Sequence, residues 1–267
     1  MKSLRAMVVK SFRDDLQSRF PKLYNSVSTY RNERRLRRIS RKLIARYGAF
    51  VLSGPFAGMA YVPRATGSAL APKLLGCYEA ELHGFLNRIF DVAYTEIVDI
   101  GCAEGYYAIG LALRLPNTRV YAFDTDPSAR QLCRNMSQVN GVASRVFIER
   151  ICDIERLRTL PLERSLVVCD CEGYELELLR PDLVPKLCTC DLLVELHDFV
   201  NPIISDTLLS RFVDTHDIEL VKLAKRELTI YPELSILKAE DQRLAVAEFR
   251  PEVMQWAFMT SKVKPNA

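Results

Sequence analysis

The ten residues Ile97-Val98-Asp99-Ile100-Gly101-Cys102-Ala103-Glu104-Gly105-Tyr106 constrain the fold of this chain more than any other stretch. An apolar run broken by one carboxylate leads into a turn bracketed by Gly101 and Gly105, and Tyr106 then opens a segment that reads as a helix to Leu115. Strand, glycine turn and helix in that order form the opening unit of a wound α/β sheet, in which the bare backbone of the glycines lets a ligand approach the carboxyl end of the strand closely.

From Glu96 onward the pattern alternates. Strands are expected near residues 96–100, 119–124, 145–151, 165–170 and 190–196, and helices near 105–115, 127–139, 154–159 and 173–180. Pro127 after Asp126 is a helix-start signal. Such alternation predicts a parallel sheet covered on both faces. Beyond His197 a helix is expected over 202–215, a strand over 219–225 and a last strand over 253–261 around Trp256. Residues 73–90 are expected to form one helix ahead of the first strand, and the breaker-rich 53–63 a loop or short hairpin.

Asp124 closes the run Arg119-Val120-Tyr121-Ala122-Phe123, where a carboxylate can accept hydrogen bonds from both hydroxyls of a ribose. A dinucleotide site needs a third glycine and room for a pyrophosphate, whereas this loop lacks that glycine and carries Asp99 and Glu104. A nicotinamide-dependent reductase is therefore a poor fit. The acidic loop suits a ligand with a positive centre and an ammonium group.

Charge divides the chain. Residues 1–46 hold 14 Lys/Arg against 3 Asp/Glu, while the remaining 221 hold 23 against 30. Residues 1–50 read as a helical extension. Leu4, Met7, Val8 and Phe12 form one apolar series, and Leu36, Ile39, Leu43 and Ile44 place a second stripe beneath a basic face. That face could contact a partner or an acidic surface; the cationic run lacks aromatic interleaving, so nucleic acid is not expected. The alternative is a helix packed on the main domain by its stripe. No apolar run reaches the ~18 residues of a transmembrane span, and no signal-peptide core follows Met1, so a soluble, cytoplasmic protein is expected. Eight cysteines include Cys169-x-Cys171 and Cys188-x-Cys190, whose one-residue spacing is not that of zinc knuckles. They are read as reduced, mostly buried side chains.

Val98-Asp99-Ile100-Gly101-Cys102-Ala103-Glu104-Gly105-Tyr106-Tyr107 resembles motif I of class I S-adenosylmethionine-dependent methyltransferases. Asp170-Cys171-Glu172-Gly173-Tyr174-Glu175 resembles the Asp-x-Glu-Gly-x-Glu signature of their FkbM-like branch, although Glu104 departs from the residues usual there. The likeness covers roughly residues 70–260. It implies a Rossmann-like class I methyltransferase fold: a seven-stranded, mostly parallel α/β sheet with an antiparallel C-terminal strand, here with an N-terminal helical extension. The division implied is 1–50 extension, 51–95 lid and pre-motif helix, and 96–267 methyltransferase domain. The cofactor implied is S-adenosyl-L-methionine, with Asp99, Gly101, Ala103, Glu104, Gly105 and Tyr106 around its methionine part. Asp124 and Thr125 would hold the ribose, Asp153 the adenine amino group, and Asp170 would stand beside the methyl. Tyr78 and Glu79 lie where such enzymes place a cofactor-facing helix. Asp153 also reads as a helix N-cap.

Methyl transfer to a hydroxyl requires alignment and the removal of one proton. His197 is the candidate base by intrinsic pKa. Glu195, which alternation puts on the same side of its strand, and Glu172 are the other candidates. Asp170, Glu195 or Asp198 could also hold Mg²⁺. The expected activity is O-methylation of a sugar or other small-molecule acceptor; the alternative is an inactive methyltransferase-like domain that binds a partner.

Overall fold

A computed structural model describes residues 21–250 and 254–263. The series Leu4, Met7, Val8 and Phe12 lies outside the described residues.

Seven strands form one sheet: β1 (Glu96–Ile100), β2 (Arg119–Phe123), β3 (Val146–Glu149), β4 (Ser165–Cys169), β5 (Asp191–Leu196), β6 (His216–Lys222) and β7 (Gln255–Ser261). Their order across the sheet is β3-β2-β1-β4-β5-β7-β6, with β7 antiparallel to both its neighbours and the first five strands mutually parallel. The expected Rossmann-like α/β fold, mostly parallel with an antiparallel C-terminal strand, is the one observed.

Period-2 alternation splits the core into two layers. Ile97, Val120, Leu166, Val168 and Leu193 face one side, against α1 (Pro21–Tyr47), α3 (His83–Phe90) and α4 (Tyr106–Arg114). Val98, Ile100, Val167, Leu192 and Val194 face the other, against α6 (Ile154–Thr159), α7 (Glu175–Leu178) and α8 (Ile204–Phe212). The strands β1 and β4 are buried at every position, as parallel strands covered on both faces should be.

The stripe on α1 packs on the domain: Ile39 and Leu43 are buried, and Ile44 and Tyr47 partly so. Arg35 and Arg38 clamp the helix to buried Asp241 on α9 (Ala239–Ala245), an element without a periodic signal in the sequence. No helix among the described residues is long and apolar enough to cross a membrane.

The single helix expected over 73–90 is broken. A short helix α2 (Leu70–Leu75) ends at Gly76, whose φ of 75° is left-handed. A β-carbon there would lie 1.9 Å from the Ser53 carbonyl oxygen, so the chain turns, and after a 3-10 turn at Ala80–Leu82 the α-helix resumes at His83. The strand expected over 219–225 starts at His216 and ends at Lys222, because its pairing with β7 runs from His216–Ser261 to Lys222–Gln255. Segment 53–63 is a tight hairpin-like loop whose Phe56, Met59 and Tyr61 are buried; Phe56 lies edge-on to Tyr106 and Tyr107 of α4. α5 (Pro127–Val139) opens as expected, with Asp126 accepting from the Ser128 amide and Pro127 in the first turn.

All eight cysteines are free thiols, six of them buried. Cys169 ends β4, whereas Cys190 immediately precedes β5, so the two Cys-x-Cys pairs lie at opposite ends of neighbouring parallel strands.

Candidate active site at the strand ends

Strand order reverses between β1 and β4, and the loops beyond these carboxyl ends gather most of the residues singled out from the sequence. Gly101, at φ 88°, is pressed against β4: a β-carbon there would lie 1.6 Å from the Asp170 carbonyl oxygen. The amides of Gly101 and Cys102 both donate to the Phe123 carbonyl at 2.9 Å. Gly105, at φ 96°, then starts α4. Asp124, at the end of β2, reaches back to this loop. Its Oδ2 accepts from the Ala103 amide at 2.9 Å and its Oδ1 from the Asp126 amide at 2.8 Å. Only about half of the lone pairs of that carboxylate are thereby used. Thr125 is exposed beside it. Asp153 is exposed and caps α6 through the Arg156 amide at 2.7 Å.

Two acidic residues, Asp99 on β1 and Glu104 in the loop, lie deeper than a ligand-facing role requires. Asp99 is buried; burial and the nearby Asp170 push its carboxyl up to about 7. Glu104 is fully buried, takes the Lys73 ammonium at 2.6 Å, and accepts from Tyr61 at 2.5 Å and the Thr66 amide at 2.9 Å. Burial opposes that charge, yet these partners outweigh it and hold Glu104 below the usual carboxylate range. Glu104 therefore ties segment 61–73 to the glycine loop. The Lys73 ammonium also lies over the Tyr78 and Tyr106 rings, at 4.7 and 5.6 Å from their centroids.

A second cluster lies past β4 and β5. His197 is buried, and its Nδ1 is 2.6 Å from Oε1 of Glu175, which is itself fully buried. Its Nε2 is 3.4 Å from Asp170, 3.5 Å from Glu195 and 3.7 Å from Glu172. The turn between β4 and α7 uses left-handed backbone at Glu172 (φ 55°) and Gly173 (φ 102°). Burial disfavours the imidazolium, but Asp170 and Glu175 raise the ring to about 10. Burial and then Asp170 push Glu195 up to about 11. Glu195 and His197 do share a side, but the imidazole's close partner is Glu175.

Arg250 frames this cluster. Its Nη1 donates to Glu195 Oε1 at 2.9 Å, and its Nη2 to the Tyr78 hydroxyl at 3.2 Å and to Glu79, which also accepts from Tyr107. Tyr78 and Glu79 are thus joined to the β5 end through Arg250. Behind it a cavity of about 790 Å³ is lined by residues 223–226, Leu228, Arg243 and residues 246–250. Asp198 is turned away, binding the Ser205 amide at 2.9 Å and its hydroxyl at 2.5 Å.

Lys73, Glu175 and Arg250 carry no role in the sequence reading. Glu175 had a signal, as the last member of the second signature. Lys73, between Pro72 and Leu74, and Arg250, in a stretch without periodicity, had none.

No protein-family model matches the chain. Curated proteins match over short stretches: the ribosomal protein L11 methyltransferase of Serratia proteamaculans is 43% identical over 56 residues, 21% of this chain and 19% of that protein. The enzyme of the same name from Pelobacter propionicus is 31% identical over 98 residues, 37% of this chain and 30% of that protein. The release factor glutamine methyltransferase of Chlorobaculum tepidum is 43% identical over 54 residues, 20% and 18% of the two chains. The chain thus spans less than a third of the length of these relatives. Among solved structures, the O-methyltransferase TomG of Streptomyces achromogenes in complex with SAM gives a TM-score of 0.47 at 15% identity, covering 71% of this chain and 83% of that one. The precorrin-6y C5,15-methyltransferase of Geobacter metallireducens gives 0.45 at 16%, covering 63% and 80%.

Proposed function

We propose that the chain is an S-adenosylmethionine-dependent methyltransferase of the FkbM-like branch that methylates a hydroxyl of a sugar or other small polyhydroxy acceptor. The observation that carries this reading is the Asp124 carboxylate, tied to the glycine loop at Ala103 yet keeping acceptor capacity for two hydroxyls. The short matches to methyltransferases support it. They also name protein substrates, so a protein acceptor is the rival outcome for the second half of the proposal.

The residues present fit such a cofactor. Gly101 and Gly105 hold the turn in backbone that side chains disfavour, and Asp124 with Thr125 stands where a ribose is held. Asp153 has one oxygen committed to capping and a second for an adenine amino group. Ala103 and Tyr106 complete the loop, Asp99 backs it, and Glu104 serves it by anchoring segment 61–73. When bound, the cofactor supplies a methyl on a sulfonium centre, which leaves without acid assistance.

This chain's residues supply alignment and proton removal. Glu172, the exposed carboxylate of the cluster, takes the acceptor's proton, and His197, held through Nδ1 by the buried Glu175, turns its Nε2 toward the same point. Asp170 and Glu195 flank the imidazole, and Arg250 with Tyr78 and Glu79 walls the acceptor side. The division into extension (1–50), lid (51–95) and methyltransferase domain (96–267) is part of the proposal. An intact loop and an available Asp124 favour catalysis over a purely scaffolding role.

Calorimetric titration with S-adenosylhomocysteine tests the reading. The wild type should bind with micromolar or tighter affinity, and Asp124→Ala should lose about tenfold or more, the loss of a charge-assisted hydrogen bond or two. Absence of binding by a folded wild type removes the proposal.

A further inference from the structure

The geometry points to a divalent transition-metal ion, of the Mn²⁺ or Fe²⁺ kind, bound by Asp170, Glu172 and His197 at the mouth between the ends of β4 and β5.

The three donor atoms lie within 4.8 Å of one another. Nε2 of His197 stands 3.4 Å from Asp170 Oδ1 and 3.7 Å from Glu172 Oε2. Neighbouring ligands of an octahedral ion are about 3 Å apart, so a small inward movement of exposed Glu172 closes the set. Two carboxylates and one imidazole on one face leave coordination positions open to a ligand. The nitrogen donor selects a first-row transition ion over Mg²⁺, which takes oxygen ligands.

Two independent observations in the buried shell behind these ligands also point to an ion. Nδ1 of His197 is 2.6 Å from Glu175, and both side chains are almost wholly inaccessible. A buried carboxylate on the far nitrogen is the arrangement that orients a metal-ligating imidazole and raises its basicity. Glu195 is fully buried, and its Oε2, 3.5 Å from His197 Nε2, has no hydrogen-bond partner among the described residues. A buried acceptor aimed at the same point is stabilised by a cation there. Charge agrees: Asp170, Glu172 and Glu175 surround one imidazole, and Arg250 engages only Oε1 of the neighbouring Glu195. Asp198, a candidate from the sequence, is occupied by Ser205 and takes no part.

An ion here would take the acceptor hydroxyl in an open position and lower its pKa, its proton passing to the second oxygen of exposed Glu172. That use rests on the proposed methyl transfer; the ion site does not.

The test is a Mn²⁺ titration of chelator-treated full-length protein, followed by the loss of the free-ion electron paramagnetic resonance signal, with S-adenosylhomocysteine affinity measured in parallel. The wild type should bind Mn²⁺ stoichiometrically and more tightly than Mg²⁺. His197→Ala and Glu172→Gln should weaken it about tenfold or more, and Glu175→Gln, which acts through His197, by about 10- to 100-fold. Glu172 is 80% exposed, so its variant remains informative if the His197 variant fails to fold. No stoichiometric uptake by the wild type, or wild-type affinity in Glu172→Gln, overturns the site. If S-adenosylhomocysteine binds and Mn²⁺ does not, the ion site falls and the methyltransferase reading stands. If Mn²⁺ binds and the nucleoside does not, the site stands and its use in methyl transfer falls.

Discussion

Replacing Lys73 by Met tests whether the ion pair beneath the glycine loop holds the cover segment in place. Lys73 and Glu104 are 3% and 0% exposed and 2.6 Å apart. Met keeps the length and apolar contacts of the lysine stem but leaves a buried carboxylate whose remaining partners, Tyr61 and the Thr66 amide, are neutral. Removing one member of a buried pair costs about 3–5 kcal/mol, whereas replacing both by apolar residues of similar volume is often close to neutral. Lys73→Met should therefore lower the urea-unfolding free energy by about 3–5 kcal/mol with m unchanged, and Lys73→Met/Glu104→Leu should recover most of it.

The pH dependence follows from the same pair. In the wild type the folded-state pKa of Glu104 lies below its value of 4.5 in the unfolded chain, so its stabilisation is complete above 4.5 and is lost as pH falls through the folded value. Without Lys73 the balance reverses. Burial then raises the folded pKa, and the deficit of Lys73→Met should shrink as pH falls from 7 to 5. A deficit under about 1 kcal/mol at pH 7, or one that grows on acidification, refutes the argument.

Three further outcomes are expected. Gly101→Ala places a β-carbon against the Asp170 carbonyl and a left-handed φ on alanine, so it should cost more than the about 1–3 kcal/mol of the backbone strain alone in a denaturant titration; a neutral effect contradicts the geometry. Burial, and then Arg226, lower His83 from 6.5 to about 4, so stability is full above pH 6.5 and falls as pH drops toward 4, by at most about 3 kcal/mol; His83→Gln should flatten that slope, and an unchanged slope rules out this source. Asp241→Ala releases Arg35 and Arg38, and limited proteolysis should then cut α1 faster with little change in S-adenosylhomocysteine affinity, while unchanged cutting means the apolar stripe alone secures the helix.

The parallel strands were legible because each is a short, mainly apolar run between turn residues, and all five begin and end within two residues of their expected bounds. The glycine turn was legible because both residues that bracket it, Gly101 and Gly105, are left-handed glycines; the left-handed Ala103 between them carries no such mark. The break in the pre-strand helix is not legible: its stop signal, Gly76, is a single residue inside an otherwise helical composition, and the backbone collision that gives it meaning comes from Ser53, far away in the chain. The start of β6 is hidden because its first residues, His216 and Asp217, are polar and pair through β7. Within the site, alternation put Glu195 and His197 on one side. That Glu175 rather than Glu195 holds the imidazole depends on the left-handed turn at Glu172 and Gly173, which folds the start of α7 back over β5. The contributions of Lys73, on the short helix α2, and of Arg250, in an irregular segment, come from tertiary packing, which leaves no period in a sequence.

The most direct measurement of the central claim is a crystal structure with S-adenosylhomocysteine bound. Both ribose hydroxyls should donate to Asp124, with the homocysteine part along the loop from Gly101 to Gly105 and the sulfur turned toward Asp170 and His197. A nucleoside seated elsewhere, or one whose ribose leaves Asp124 without a contact, would contradict the account.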